Sequence, residues 1–175
     1  MATKKAGAVR EPATGDFVIA RVFNAPRELV WKAWTERERL MQWFGPKGFT
    51  MHAARLDFQP GGVFHYGLRS PAGQEIWGKF VYREIVAPER MVFINSFSDA
   101  AGGITRHPMS PTWSLEMLST FTFEELLGGK TKFTIRWSSL NATEQERKTF
   151  DAGHDSMRQG WGGTLDQLAA YLAKA

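Results

Sequence analysis

The 175-residue chain contains no cysteine. Disulfide staples, thiolate metal sites and a cysteine nucleophile are thereby excluded. Histidine is sparse as well. His52, His65, His107 and His154 stand far apart, without the H-E-x-x-H spacing that would bring imidazoles to one metal, so neither a metal nor another cofactor is expected. No apolar run approaches the ~20 residues of a membrane span, and the first residues lack a signal-peptide core. The expectation is a soluble, cytoplasmic protein with no membrane partner. Excess charge is also slight. Lys4, Lys5, Arg10 and Glu11 give the first fifteen residues half of the +4 net charge. What remains is a weak electrostatic footprint, and no nucleic-acid partner is expected. No glycine-rich phosphate loop follows a strand. Glu75, Glu84, Glu116 and Glu124 mostly alternate with apolar neighbours as solvated positions do, so a two-carboxylate hydrolase is unsupported.

Aromatic residues, by contrast, are abundant. Seven Trp and thirteen Phe exceed what one sheet and its cover need, so they either fill a core or line a cavity. At this length, one domain over 16–175 is the simplest reading, with 1–15 small, charged and aperiodic as a disordered leader.

Thr143–Ala173 organises the rest. Thr143-Glu144-Gln145-Glu146 has the form of a capping box, and Phe150, His154, Met157, Trp161, Leu165, Leu168 and Leu172 fall on one helical stripe. The pattern predicts one long amphipathic helix, roughly 45 Å if straight. Gly153, Gly160, Gly162 and Gly163 lie inside it, each costing about 1 kcal/mol against alanine. Gly153 and Gly160 flank the stripe, where a missing side chain admits either a sheet or a ligand. Gly162 and Gly163 face outward and suggest a bend.

Upstream, Asp16–Phe23 reads as a strand stopped by Asn24-Ala25-Pro26. Two short helices follow, ending at Gly45-Pro46-Lys47-Gly48. Six strands joined by short turns come next, predicting an antiparallel meander. One connection, 99–111, is long and carries His107-Pro108-Met109-Ser110-Pro111-Thr112-Trp113, the kind of loop that serves as a lid, with Trp113 at its hinge. The fold class is α+β: a curved, seven-stranded antiparallel sheet around a long C-terminal helix, with two short helices between the first two strands.

Alternation places Phe64 and Tyr66, Phe93 and Asn95, Met117 and Phe121, and Phe133 and Trp137 on common strand faces. If those faces meet Met157 and Trp161 across a concave sheet, they line a small-molecule site. Trp43 and Phe44 would stand at its rim, Trp113 at the hinge of its lid, and Asn95 or His154 would orient the ligand. His154 has two readings: a core histidine satisfied by one hydrogen bond, or a polar group facing the cavity. His154-Asp155-Ser156 is not a triad, because successive helical side chains diverge by about 100°.

The order of elements, together with Asn24-Ala25-Pro26, Val30-Trp31, Trp43-Phe44-Gly45-Pro46, Pro60-Gly61-Gly62, Gly78, Pro88-Glu89-Arg90-Met91 and Met157-x-x-Gly160-Trp161, resembles the SRPBCC (START-like, helix-grip, Bet v 1-like) superfamily. Within it, the features are most similar to the family named after the activator of the heat-shock protein 90 ATPase. The resemblance implies the helix-grip fold over nearly the whole chain. The functions it implies are diverse: a carrier of an apolar or aromatic small molecule, a cyclase- or hydrolase-type enzyme, for which the position of His154 on the stripe would make it the candidate base, or a co-chaperone-like interaction domain. No catalytic residue is assigned, and either a monomer or a homodimer fits.

Overall fold

The computed structural model describes residues 15–175, so the expected leader lies outside the described residues apart from Gly15. Strand β1 (Phe17–Phe23) leads into helices α1 (Arg27–Thr35) and α2 (Arg37–Trp43). Then come β2 (Thr50–Leu56), β3 (Val63–Arg69), β4 (Glu75–Val86), β5 (Arg90–Ser98), the two-residue β6 (Ile104–Thr105), β7 (Glu116–Leu126) and β8 (Lys130–Leu140). Helices α3 (Glu144–Ala152) and α4 (His154–Lys174) end the chain. The sheet runs β1-β8-β7-β5-β4-β3-β2, antiparallel throughout, with β6 attached only to β5. The architecture is the α+β arrangement expected from the sequence, with β6 as a short addition inside the long connection.

Alternation decides which sheet face is covered. On β8, Phe133 and Ile135 are fully buried while Lys132 is exposed and Thr134 and Arg136 are half-buried on the other face. Their partners on β7, Phe123 and Phe121 respectively, are buried on the same side. Gly78 on β4 pairs with Tyr66 on β3, and a Cβ there would lie 2.3 Å from the Tyr66 hydroxyl oxygen. Only glycine leaves room for that phenol.

Helices α1 and α2 close one end of the concave face. The α1 sequence RELVWKAWT buries Val30, Trp31, Ala33 and Trp34 on its sheet side. Trp34 stacks on Phe133 at 5.4 Å and meets the Phe121 and Trp43 rings edge-on, both at 4.7 Å. Trp43 is buried beneath α1 and donates from Nε1 to the Ala33 carbonyl at 3.0 Å. Aromatic pairs of this geometry add ~0.5–1.5 kcal/mol each beyond area burial, so this end is a tight plug.

The single terminal helix expected from the sequence is two helices. The capping box forms as expected: Glu146 N–H donates to Thr143 Oγ1, and Thr143 N–H donates to Glu146 Oε1, both at 3.1 Å. At Gly153 (φ −97°, ψ 7°) the helix is interrupted. Its N–H closes a short turn onto the Phe150 carbonyl at 3.0 Å, and its own carbonyl starts α4 by accepting from Met157 at 2.9 Å. A Cβ at Gly153 would sit 3.3 Å from the Thr149 carbonyl and 3.4 Å from the Trp113 ring. That break is invisible in the hydrophobic stripe, which continues across it.

Candidate functional site

Away from the plug, the concave face is not filled. A cavity of about 640 Å³ lies between the far halves of β3, β4, β5, β7 and β8, helix α4 and the 99–115 connection. The strands contribute Leu68, Phe80, Phe93, Met117 and Trp137, and α4 contributes Met157, Gly160 and Trp161. No Asp, Glu, Lys or Arg side chain among the described residues lines it. Its volume falls in the range of about 300–1,000 Å³ usual for small-molecule sites.

Of the candidate site residues singled out from the sequence, the lining contains Phe44, Tyr66, Phe93, Asn95, Trp113, Met117, Trp137, Met157 and Trp161. The other five lie elsewhere. Trp43 belongs to the plug rather than the rim, and its neighbour Phe44 takes the lining position. Phe64, Phe121 and Phe133 are on the correct strand faces but fully buried, Phe121 and Phe133 against Trp34. His154 does not line the cavity. Its Nε2 lies 3.0 Å from the Gly15 carbonyl, and its ring packs edge-on against Phe17 and Phe150 at 5.6 and 5.2 Å. Of its two readings, the structure supports the satisfied core histidine. The base proposed for a cyclase or hydrolase therefore has no access to the cavity.

A Cβ at Gly160, Gly162 or Gly163 would meet nothing within 4 Å, as expected for the outward-facing Gly162 and Gly163, and close helix–sheet packing does not explain Gly160 either. Gly160 faces the cavity, and its missing side chain adds to the free volume.

Ser and Thr hydroxyls are spread around the lining, and those of Ser114, Thr149 and Thr164 donate to Ser139, Thr112 and the Gly45 carbonyl; the larger polar side chains are Tyr66, Asn95 and His107. Asn95 accepts a hydrogen bond at Oδ1 from the Ser119 hydroxyl, which is buried. The Tyr66 hydroxyl is held neutral, because burial raises its pKa well above the ordinary phenol value. His107, a residue without periodic context in the sequence, enters the lining from the connection. Its Nδ1 accepts from the Met109 N–H at 2.9 Å, and burial lowers its pKa below the ordinary 6.5. It is therefore the neutral tautomer with its proton on Nε2.

The connection is tied to α3. Arg106 forms an ion pair with the capping-box carboxylate of Glu146 and donates to the Trp113 carbonyl at 3.1 Å. Thr149 Oγ1 donates to Thr112 Oγ1 at 2.8 Å. The Arg106 guanidinium, and after it the Thr143 backbone N–H, hold the Glu146 carboxyl below the usual carboxylate range. Among residues missed in the sequence, Leu68 and Phe97 lie two positions beyond Tyr66 and Asn95 and follow from the same alternation.

An antiparallel sheet gripping a terminal helix across a cavity defines a helix-grip domain. The chain belongs to the family described as Activator of Hsp90 ATPase homolog 1-like protein, whose model matches residues 24–173. A crystal structure of a Nitrosomonas europaea protein is 25% identical, with a TM-score of 0.71 over 94% of this chain and 97% of that one. A solution structure from Staphylococcus epidermidis is likewise 25% identical, with a TM-score of 0.69 over 95% of this chain and 93% of that one. The AHSA1 protein of Silicibacter pomeroyi shares the fold at 22% identity, with a TM-score of 0.69 over 90% of this chain and 97% of that one. No curated protein sequence matches significantly. Family and fold are compatible with small-molecule binding in general. No helix among the described residues is long and apolar enough to cross a membrane.

Proposed function

We propose that the protein binds an apolar or aromatic small molecule between the sheet and α4, within one domain spanning 16–175. The observation carrying this reading is the cavity itself: about 640 Å³, walled by Trp, Phe, Met and Leu side chains and free of charged side chains among the described residues. Burying apolar surface there yields roughly 25 cal/mol per Å² before the cost of immobilising the ligand. Trp161 supplies the broadest face from the helix side, set edge-on to Trp137 at 5.5 Å. The 99–115 connection serves as the lid, carrying His107 and Trp113 into the wall.

The test is titration with the fluorescent probe N-phenyl-1-naphthylamine. Trp161→Ala should weaken probe binding at least tenfold while the far-UV circular dichroism spectrum is retained. Unchanged affinity in the folded variant overturns the reading.

A further inference from the structure

Three of the larger polar side chains of the cavity wall, Tyr66, Asn95 and His107, present hydrogen-bond donors, and no Asp, Glu, Lys or Arg among the described residues lines it to match an ion. We infer that the ligand is an uncharged molecule with an apolar or aromatic body and a hydrogen-bond-accepting oxygen, such as a ketone carbonyl, seated toward Tyr66, Asn95 and His107. This rests on the pocket reading above and specifies its ligand.

Three independent arrangements support it. At Asn95, accepting from the Ser119 hydroxyl fixes the orientation of the amide, whose NH₂ is then a donor for a guest. At His107, the Met109 N–H fills Nδ1, so the remaining nitrogen is a donor. At Tyr66, the phenol lines the cavity in the space that Gly78 leaves open, and a neutral phenol offers an O–H. Sheet register brings these groups to one side. Tyr66 pairs with Gly78, Gly78 pairs with Phe97, and the His107 ring packs on Phe97 at 4.8 Å. Asn95 lies two residues before Phe97 on β5, on the same face. Phe93, Trp137 and Trp161 supply the apolar surroundings for the body.

The missing charges determine the rest. A carboxylate or ammonium brought into this site would leave water with no opposite charge to meet, which a buried ion does not tolerate. An alkane-like ligand would leave the donors facing hydrocarbon, with their hydrogen bonds to water lost.

Three matched probes separate these cases: 6-propionyl-2-(dimethylamino)naphthalene, its analogue with the carbonyl reduced to a methylene, and 6-(dimethylamino)-2-naphthoate. The ketone is expected to bind at least tenfold more tightly than either of the others. Tyr66→Phe, which removes one oxygen, should weaken the ketone about threefold to tenfold and leave the methylene analogue unchanged, and His107→Phe should behave alike. Equal binding of ketone and methylene analogue overturns the inference while leaving the pocket reading intact, as does tightest binding by the naphthoate. Binding by none of the three overturns the pocket reading and this one with it.

Discussion

The two ends of the concave face are built from the same residue types and do opposite things. At one end Trp31, Trp34 and Trp43 are almost completely buried, and their rings contact Phe and Trp neighbours in edge-on and stacked pairs. At the other, Trp113, Trp137 and Trp161 remain partly exposed around open space. Aromatic content alone does not distinguish a core from a container. What separates them is cover. The helices α1 and α2 press side chains into the first end, whereas α4 crosses the second with Gly160 where a side chain would reach inward.

Substitutions at the two ends should therefore have inverted signatures. The largest effect is expected at the plug: Trp34→Ala should cost about 3–5 kcal/mol in urea denaturation, as removal of a buried indole does. A loss below about 1 kcal/mol would show that the plug is not packed as described. At the container the sign reverses. Gly160→Leu places a good helix former where glycine stood and should raise stability by about 0.5–1 kcal/mol. The same leucine occupies the cavity and should weaken N-phenyl-1-naphthylamine binding about tenfold, read from the same titration. A destabilised variant with unaltered binding would mean that Gly160 faces packed atoms.

A third effect concerns the tie between the 99–115 connection and α3. Glu146→Gln should cost about 1 kcal/mol, because Arg106 is half-exposed and water screens the pair. The folded-state pKa of Glu146 is lowered, so its contribution is complete above the ordinary carboxylate value of 4.5 and is lost as pH falls through the lower folded-state value. Urea midpoints followed from neutral pH downward should converge for the parent and Glu146→Gln below that value. A constant gap across the series would assign the cost to something other than the carboxylate.

Much of this arrangement was legible in the chain. Alternation of period two marked the concave face from Phe93 and Asn95 to Phe133 and Trp137, and the Thr143–Glu146 signature gave the start of α3. Alternation reports the face of a residue, however, and not its depth along the strand. Phe64 and Tyr66 share a face, yet only Tyr66 reaches the cavity. Depth is set by where α1 and α2 lie across the sheet, which depends on contacts far apart in sequence, such as Trp34 with Phe133. His154 failed for a related reason. The apolar stripe predicted its burial, but its partner is a carbonyl 139 residues earlier in the chain. His107 carried no local signal, since a loop has no period from which to read direction.

The Glu146 carboxylate serves two masters: one oxygen completes the first turn of α3, and the other anchors the 99–115 connection through Arg106. Loss of that one side chain would therefore take a support from the first turn of α3 and from the 99–115 connection together.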